Sequence, residues 1–423
     1  MDRRQFLQAA GAGALAATTG CASITGSSKP QVVVIGGGYG GATAAKYVRM
    51  WSEGSIEVTI VEPNPNFISC PLSNLVLGGS KQIADLTTSY DELVRHHGIK
   101  LLRDTATHID PEKRTVTLQS GQTLSYDRLI VSPGVEFLWD ELPGMKAPGA
   151  QTKILHAWKA GIQTVALRLQ LESMPDGGVY AMTIPPQPYR CPPGPYERAC
   201  QIAHYFSQHK PKSKVLLLDA NEDVTSKGPL FKKIWKERYS SIIEYRPSFR
   251  TVDIDAGNST AISELGDKVR ADVLNVIPPQ RAGAIAFDTG LANMNKRWCE
   301  VGFQTFESTQ AKNIHVIGDA IQTSPLMPKS GHMANQHAKV CAAAVVDLLS
   351  GRQPEQNPML TNTCYSFIND KEVIHVASVH AWNAEKKTLL VVPGSGGLSP
   401  GPAEIEATYA NSWATNIWSD MLT

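Results

Sequence analysis

Residues 32–35 are an unbroken β-branched run, Val-Val-Val-Ile, that stops at glycines. Such a run predicts a strand buried on both faces of a parallel sheet. A helical stretch over 42–50 follows at once, and Glu57–Val61 predicts a second strand. The pattern then predicts a helix over 85–97 and short strands over 100–103 and 106–109. A hairpin of Thr115–Leu118 with Thr123–Ser125 turns at Ser120-Gly121. Residues 126–131 read as another buried strand, ending in the sharp turn Pro133-Gly134. A helix is expected over 154–172, with Trp158, Ile162, Val165 and Leu169 on one face. Strands over 178–185 and 214–218 flank a helix over 196–209, and further strands are expected over 272–277 and 313–317. A long helix begins near Gly331 and ends near Leu349, with Pro328 suited to its start. Residues 373–380 and 388–392 alternate as a hairpin. In the tail, Ile405, Tyr409, Trp413 and Ile417 recur every four residues. That spacing reads as a helix face packed on the core, the alternative being an aromatic edge near a cofactor or partner.

Strands alternating with helices predict an α/β chain. Gly36, Gly38 and Gly41 fall in the spacing G-x-G-x-x-G between the first strand and its helix. The first glycine makes a tight turn, the second lets a pyrophosphate approach the backbone, and the third packs helix on strand. Glu62 ends the second strand 21 residues after Gly41, where a carboxylate accepts a ribose hydroxyl. A second unit of the same kind should begin at 178–185, but its turn carries Pro185, Pro186, Pro188, Pro192 and Pro193. Proline has no N–H to offer a phosphate, so this unit keeps the fold of a nicotinamide domain without its phosphate site. That counts against an enzyme using NAD(P)H.

Composition adds bounds. The 423 residues suggest about two to three domains, and a net charge of +1 speaks against nucleic acid as a partner. Arg3-Arg4, followed by a weakly apolar small-residue run, reads as a twin-arginine export signal over 1–29. Cys21 is a second, weaker reading as a lipoprotein cysteine, and no span of the mature chain is long and apolar enough to cross a membrane. The seven cysteines show neither zinc spacing nor a haem-attachment motif, so no metal site is expected and any haem sits on another chain.

Several stretches together carry a resemblance: Phe67-Ile-Ser-Cys-Pro-Leu-Ser-Asn74, Arg190-Cys-Pro-Pro-Gly-Pro-Tyr-Glu-Arg-Ala199, Ile277-Pro-Pro-Gln-Arg-Ala-Gly283, residues 314–320, Pro328-Lys-Ser-Gly331 and Asn362-Thr-Cys-Tyr-Ser366. The chain resembles the flavoprotein subunit of flavocytochrome c sulfide dehydrogenase, one of the glutathione-reductase-like flavoproteins. The resemblance implies two Rossmann-like domains and a C-terminal α+β interface domain. FAD would occupy 30–145 with 283–360, a nicotinamide-like domain 146–282, and the interface domain 361–423. It further implies a periplasmic sulfide:cytochrome c oxidoreductase, paired as a heterodimer with a c-type cytochrome that carries the haem.

By position, Cys70 matches a cysteine bound covalently to the flavin, and Cys191 and Cys364 match a redox-active pair that hydrosulfide attacks. The alternative reading of Cys191 and Cys364 is a structural disulfide or buried free thiols. Glu197 is a candidate proton acceptor, Asp319 a contact to the ribityl or phosphate region, and Lys329 a further cofactor residue. Two rival readings are a sulfide:quinone oxidoreductase and a flavin-bearing accessory protein of a thiosulfate-oxidising complex.

Overall fold

The computed structural model describes residues 29–423. The export signal and Cys21 lie outside the described residues. Gln31–Ile35 is the middle of five parallel strands in a seven-stranded sheet, a place its buried β-branched side chains suit. Across this sheet the strands run Val301–Gly302, Glu307–Ser308, Ile314–Val316, Arg128–Val131, Gln31–Ile35, Glu57–Val61 and Lys100–Leu102. The last five are mutually parallel, with Val33 opposite both Thr59 and Leu129. Two helices, Tyr39–Trp51 and Gly331–Leu349, pack together against it, so residues from both ends of the chain build one layer.

A second sheet takes Ile243–Arg246, Lys214–Asp219, Val179–Ile184 and Val273–Val276, all parallel, with the helix Gly194–His209 as its first crossover. The ribbon of Val135–Phe137 with Gln280–Ala282 links the two sheets. A third, antiparallel sheet of Met359–Phe367, Val373–Asn383 and Thr388–Val391 carries the final helix Glu404–Leu422. The α/β class and the paired nucleotide-type sheets are therefore as the pattern predicts.

Four local expectations are corrected. The helix over 85–97 is only Asp91–His97. Ahead of it lie a 3-10 turn, Ile83–Leu86, and a strand, Thr87–Ser89, which pairs with Asn66–Ile68. The helix over 154–172 starts only at Ile162, after a glycine, and buries Thr164, Leu167 and Leu171 instead of the expected stripe. Ile162 is 89% exposed, and Trp158 lies in the loop before the helix.

In the tail, the packed face is Glu406, Ala410, Ala414, Ile417 and Met421, while Ile405 and Tyr409 face outward. Ala410 and Ala414 pack among Leu72, Leu75, Val76, Phe367 and Val373, the Trp418 indole donates to the Tyr39 hydroxyl at 3.0 Å, and Trp413 is left to line a cavity. Finally, Pro328 precedes the long helix by three residues. Its N-cap is Ser330, whose hydroxyl accepts the Met333 N–H at 3.1 Å. The strand Met359–Phe367 was not foreseen at all.

Candidate active site

A cleft of about 740 Å³ opens at the end of Gln31–Ile35 and runs past Glu62 to Cys70, Asp319 and Gly331. Gly36 sits at φ +93°, and a Cβ there would strike the Ser132 carbonyl. A Cβ on Gly41 would strike the Gly36 carbonyl, which measures how closely helix and strand approach. A Cβ on Gly38 would meet nothing, since this backbone faces the open cleft. Gly38 is also the N-cap of Tyr39–Trp51 and makes no side-chain cap, so the helix N–H groups remain available to an anion.

Glu62 is buried at the cleft wall. Its carboxylate accepts the Gly37 N–H at 2.7 Å and the Asn64 N–H and amide at 2.8 and 2.6 Å. A carboxylate offers about four acceptor sites, so room remains for a ribose hydroxyl. Asp319 is half-buried, its Oδ1 shielded and unpartnered among the described residues, and burial raises its carboxyl against the pull of Arg190 and Lys329. A buried acceptor of this kind wants a donor. The cleft's volume, glycine turn, free helix end and orphaned acceptor together fit FAD.

Lys329 departs from expectation. Its ammonium donates to the carbonyls of Asp319 and Ile321 at 2.9 and 2.5 Å and lies 3.5 Å from the Trp298 ring. Its side chain is not part of the cleft wall. The Lys329 backbone carbonyl instead accepts the Cys191 N–H at 2.8 Å.

A second hollow, of about 80 Å³, joins the cleft through a wall of Cys70, Pro71, Arg190 and Gly331. Cys70, Cys191, Cys364 and Glu197 all line it. Cys191 is held in the left-handed region, φ +59°, within the proline run. Its N–H is fixed by Lys329, and its carbonyl accepts the Gly194 N–H at 2.9 Å. Cys364 projects from the middle of Met359–Phe367, opposite Val376. Glu197 lies in the first turn of Gly194–His209. The fold thus brings Cys191 and Cys364 to one cavity, where both are free thiols. Cys200, Cys299 and Cys341 are buried elsewhere in the cores.

Burial raises the Glu197 carboxyl above its usual range, against hydrogen bonds from the Phe367 N–H (2.9 Å) and the Asn74 amide (2.8 Å). Burial also pushes both thiols up. Lys227 opposes this at Cys364, and Arg190 and Lys227 oppose it at Cys191. Cys70 accepts the Ala160 N–H at 3.4 Å, and the Arg190 guanidinium lies against its sulfur.

Three functional neighbours escaped the sequence reading. Asn74 ties Glu197 to the Gly194 carbonyl and accepts from Arg198. Arg198, fully buried, holds the carbonyls of His156 and Ala157 and stacks over Trp158 at 4.9 Å. Lys227 donates to the Cys364 carbonyl at 2.7 Å and the Ser366 hydroxyl at 2.8 Å. One signal for it existed. Lys227 caps the N-terminus of Gly228–Arg238, where a cation opposes the helix dipole.

Comparison with known proteins supports the same reading. Residues 164–278 match the central region of the sulfide dehydrogenase (flavocytochrome c) flavoprotein chain, and 356–422 match the flavin-binding region of flavocytochrome c sulphide dehydrogenase. Residues 30–173 match pyridine nucleotide-disulphide oxidoreductase. The mitochondrial sulfide:quinone oxidoreductase of Dictyostelium discoideum is 25% identical over 68% of this chain and 65% of its own length. The chain thus spans about two thirds of that relative. The solved sulfide:quinone oxidoreductase of Aquifex aeolicus shares the fold, with a TM-score of 0.75 over 93% of this chain and 91% of its own, at 17% identity. The sulfide dehydrogenase flavoprotein chain of Chlorobaculum thiosulfatiphilum is 56% identical over 46 residues, 11% of this chain and 94% of that sequence. With its FAD-shaped cleft and paired thiols, the chain belongs to the flavocytochrome c sulfide dehydrogenase flavoprotein family.

Proposed function

We propose that the chain is the flavoprotein subunit of a periplasmic sulfide:cytochrome c oxidoreductase. The observation that carries this is the meeting of Cys191 and Cys364, 173 residues apart, in one cavity that shares a wall with the FAD-shaped cleft. In the oxidised protein these two sulfurs form a disulfide. Hydrosulfide attacks one of them; the S–S bond breaks, a persulfide forms, and the other sulfur leaves as a thiolate. Glu197 takes the proton, its proton affinity raised by burial. Arg190, Arg198 and Lys227 around the cavity compensate the negative charge that gathers there. Gly36, Gly38, Glu62 and Asp319 would hold the dinucleotide, and Cys70, on the same cleft wall, would anchor it covalently. Bound FAD supplies a two-electron acceptor that releases electrons one at a time, as a haem on a separate c-type cytochrome requires. Overall, one hydrosulfide yields one zero-valent sulfur, one proton and two electrons. Export rests on the Arg3-Arg4 motif.

The quinone reading is favoured by its relatives among the sulfide:quinone oxidoreductases and by the exposed Ile405 and Tyr409 on the last helix. No helix among the described residues is long and apolar enough to cross a membrane. Two measurements decide. Cys364→Ser should abolish sulfide-dependent bleaching of the flavin, and wild-type bleaching in that variant overturns the disulfide chemistry. Faster turnover with a soluble quinone than with cytochrome c replaces the cytochrome reading with the quinone one.

A further inference from the structure

Lys227 is a buried ammonium beside the thiol pair, and its placement runs against local preference. It is 4% exposed, adopts φ +57°, and caps a helix N-terminus whose partial charge is already positive. Its three hydrogen-bond partners are neutral oxygens: the carbonyls of Cys364 and Ile374 and the hydroxyl of Ser366. Cys364 and Ser366 lie on the same face of Met359–Phe367, and Ser366 is opposite Ile374 on the neighbouring strand. The ammonium is therefore pinned against the strand that carries the thiol. A tie between two strands needs only a neutral donor, and burying a charge for that purpose is costly.

Burial lowers the Lys227 ammonium from its ordinary value, and the groups that oppose this and favour the charge are, in order, Cys364, Glu197, Cys191 and Glu406. Cys364 leads them, and Lys227 in turn is the largest influence drawing the Cys364 thiol back down.

We propose that Lys227 is a positioning residue for the thiol pair: pinned by the Cys364 carbonyl and the Ser366 hydroxyl, its ammonium stabilises the thiolate released when the disulfide opens and so sets the pair's reduction potential. The inference rests on the disulfide chemistry proposed above. In the half-reaction, the Cys191–Cys364 bond takes two electrons and one proton from solvent: Cys364 is released as the thiolate beside Lys227, Cys191, which burial favours as the thiol, takes the proton, and Lys227 keeps its own throughout. Stabilising the reduced form makes the disulfide easier to reduce. Other groups face the same sulfurs. Glu197 and Arg198 come from Gly194–His209, Cys191 and Arg190 from the proline run, and His332 from Gly331–Leu349. Glu406, on the last helix, accepts from or pairs with His375 at 2.9 Å.

The test uses the holoprotein with Lys227→Gln and Lys227→Arg. Two quantities are read. One is the pH midpoint for alkylation of reduced Cys364 by iodoacetamide, followed by peptide mass. The other is the equilibrium of the thiol pair with a dithiothreitol buffer, in which each protein disulfide reduced yields one cyclic dithiothreitol disulfide. Lys227→Gln should raise the midpoint by about one pH unit. It should also lower the equilibrium constant for reduction at least tenfold, which is about 30 mV. Lys227→Arg should keep both near wild type, because the guanidinium stays charged. Unchanged values in Lys227→Gln beside a lowered melting temperature overturn the proposal and leave Lys227 a structural tie. Should Lys227→Gln not fold, Lys227→Arg decides: a midpoint raised as far as one unit in a folded, charged variant overturns it. If wild type forms no disulfide under any buffer, the disulfide chemistry fails, while the alkylation midpoints still judge Lys227 separately.

Discussion

Gly194→Ala places a single methyl at the point where the cavity is tightest. The new Cβ would lie 2.8 Å from Cη2 of Trp158 and 2.9 Å from Sγ of Cys191. Unstrained carbon contacts sit at about 3.5–4.0 Å, so one neighbour must yield by about 0.5–1 Å. Trp158 is buried and covered by the Arg198 guanidinium, which leaves the Cys191 sulfur as the group that moves. Overpacking costs about 1–3 kcal/mol, and alanine returns up to about 1 kcal/mol in helix propensity, since Gly194 opens its helix in an ordinary backbone conformation. Net destabilisation is thus about 0–2 kcal/mol, a fall of a few degrees in melting temperature. Misplacing a reacting atom by about 1 Å costs on the order of 100-fold in rate. Rapid mixing with hydrosulfide, read at the flavin absorbance band, should show that loss, while calorimetry shows a nearly intact fold. A variant that reacts at the wild-type rate refutes the placement of Cys191 as a reacting sulfur.

Glu197→Gln should slow sulfide-dependent reduction by about 10²–10⁴-fold. Wild type should show an acid limb centred above the ordinary carboxylate range, because burial raises this group, and the limb should vanish in the variant. Acid precipitation of the holoprotein should leave yellow flavin in the pellet, and Cys70→Ser should release it; free flavin from wild type refutes the covalent anchor. Burial lowers Lys329 to about 7, below its unfolded value of 10.5. Between those values the unfolded chain binds more protons, so stability should climb with pH by at most about 1.4 kcal/mol per unit. Denaturant titrations at several pH values should show that climb, and Lys329→Met should flatten it.

The strands of the first sheet were legible because β-branched runs and glycine turns are local signals. Gly36, Gly38, Gly41 and Glu62 lie within one supersecondary unit, so their spacing alone carried their geometry. Helical stripes were less legible. Ile162, Val165 and Leu169 have a sound helical period, but Thr164, Leu167 and Leu171 have one too, and packing against the rest of the chain chose between them. The tail was misread for a related reason: Ala410 and Ala414, not the large Ile405 and Tyr409, are the residues buried among Leu72, Leu75, Phe367 and Val373. The meeting of Cys191 with Cys364 is a property of tertiary topology and entered only through resemblance. Lys227 broke a local rule at a helix end, as a residue placed for chemistry often does.

The second nucleotide-type sheet carries a consequence for the chain's history. Asp219 closes Lys214–Asp219 much as Glu62 follows Glu57–Val61, yet its carboxylate accepts from Tyr196 and Tyr245 at 2.7 and 3.1 Å. Tyr189 and Tyr196 fill the space beneath the prolines, and neither is exposed. The socket is occupied by the protein itself. Removing one tyrosine would open a hole costing about 3–5 kcal/mol, as for other large aromatics, while the prolines still denied a phosphate its donors. Removing the prolines alone would leave the tyrosines in place. Each single step back toward a pyridine nucleotide loses stability and gains no binding. A nicotinamide site lost in this way is not regained one substitution at a time, because the side chains that once left room for the cofactor now hold the sheet together.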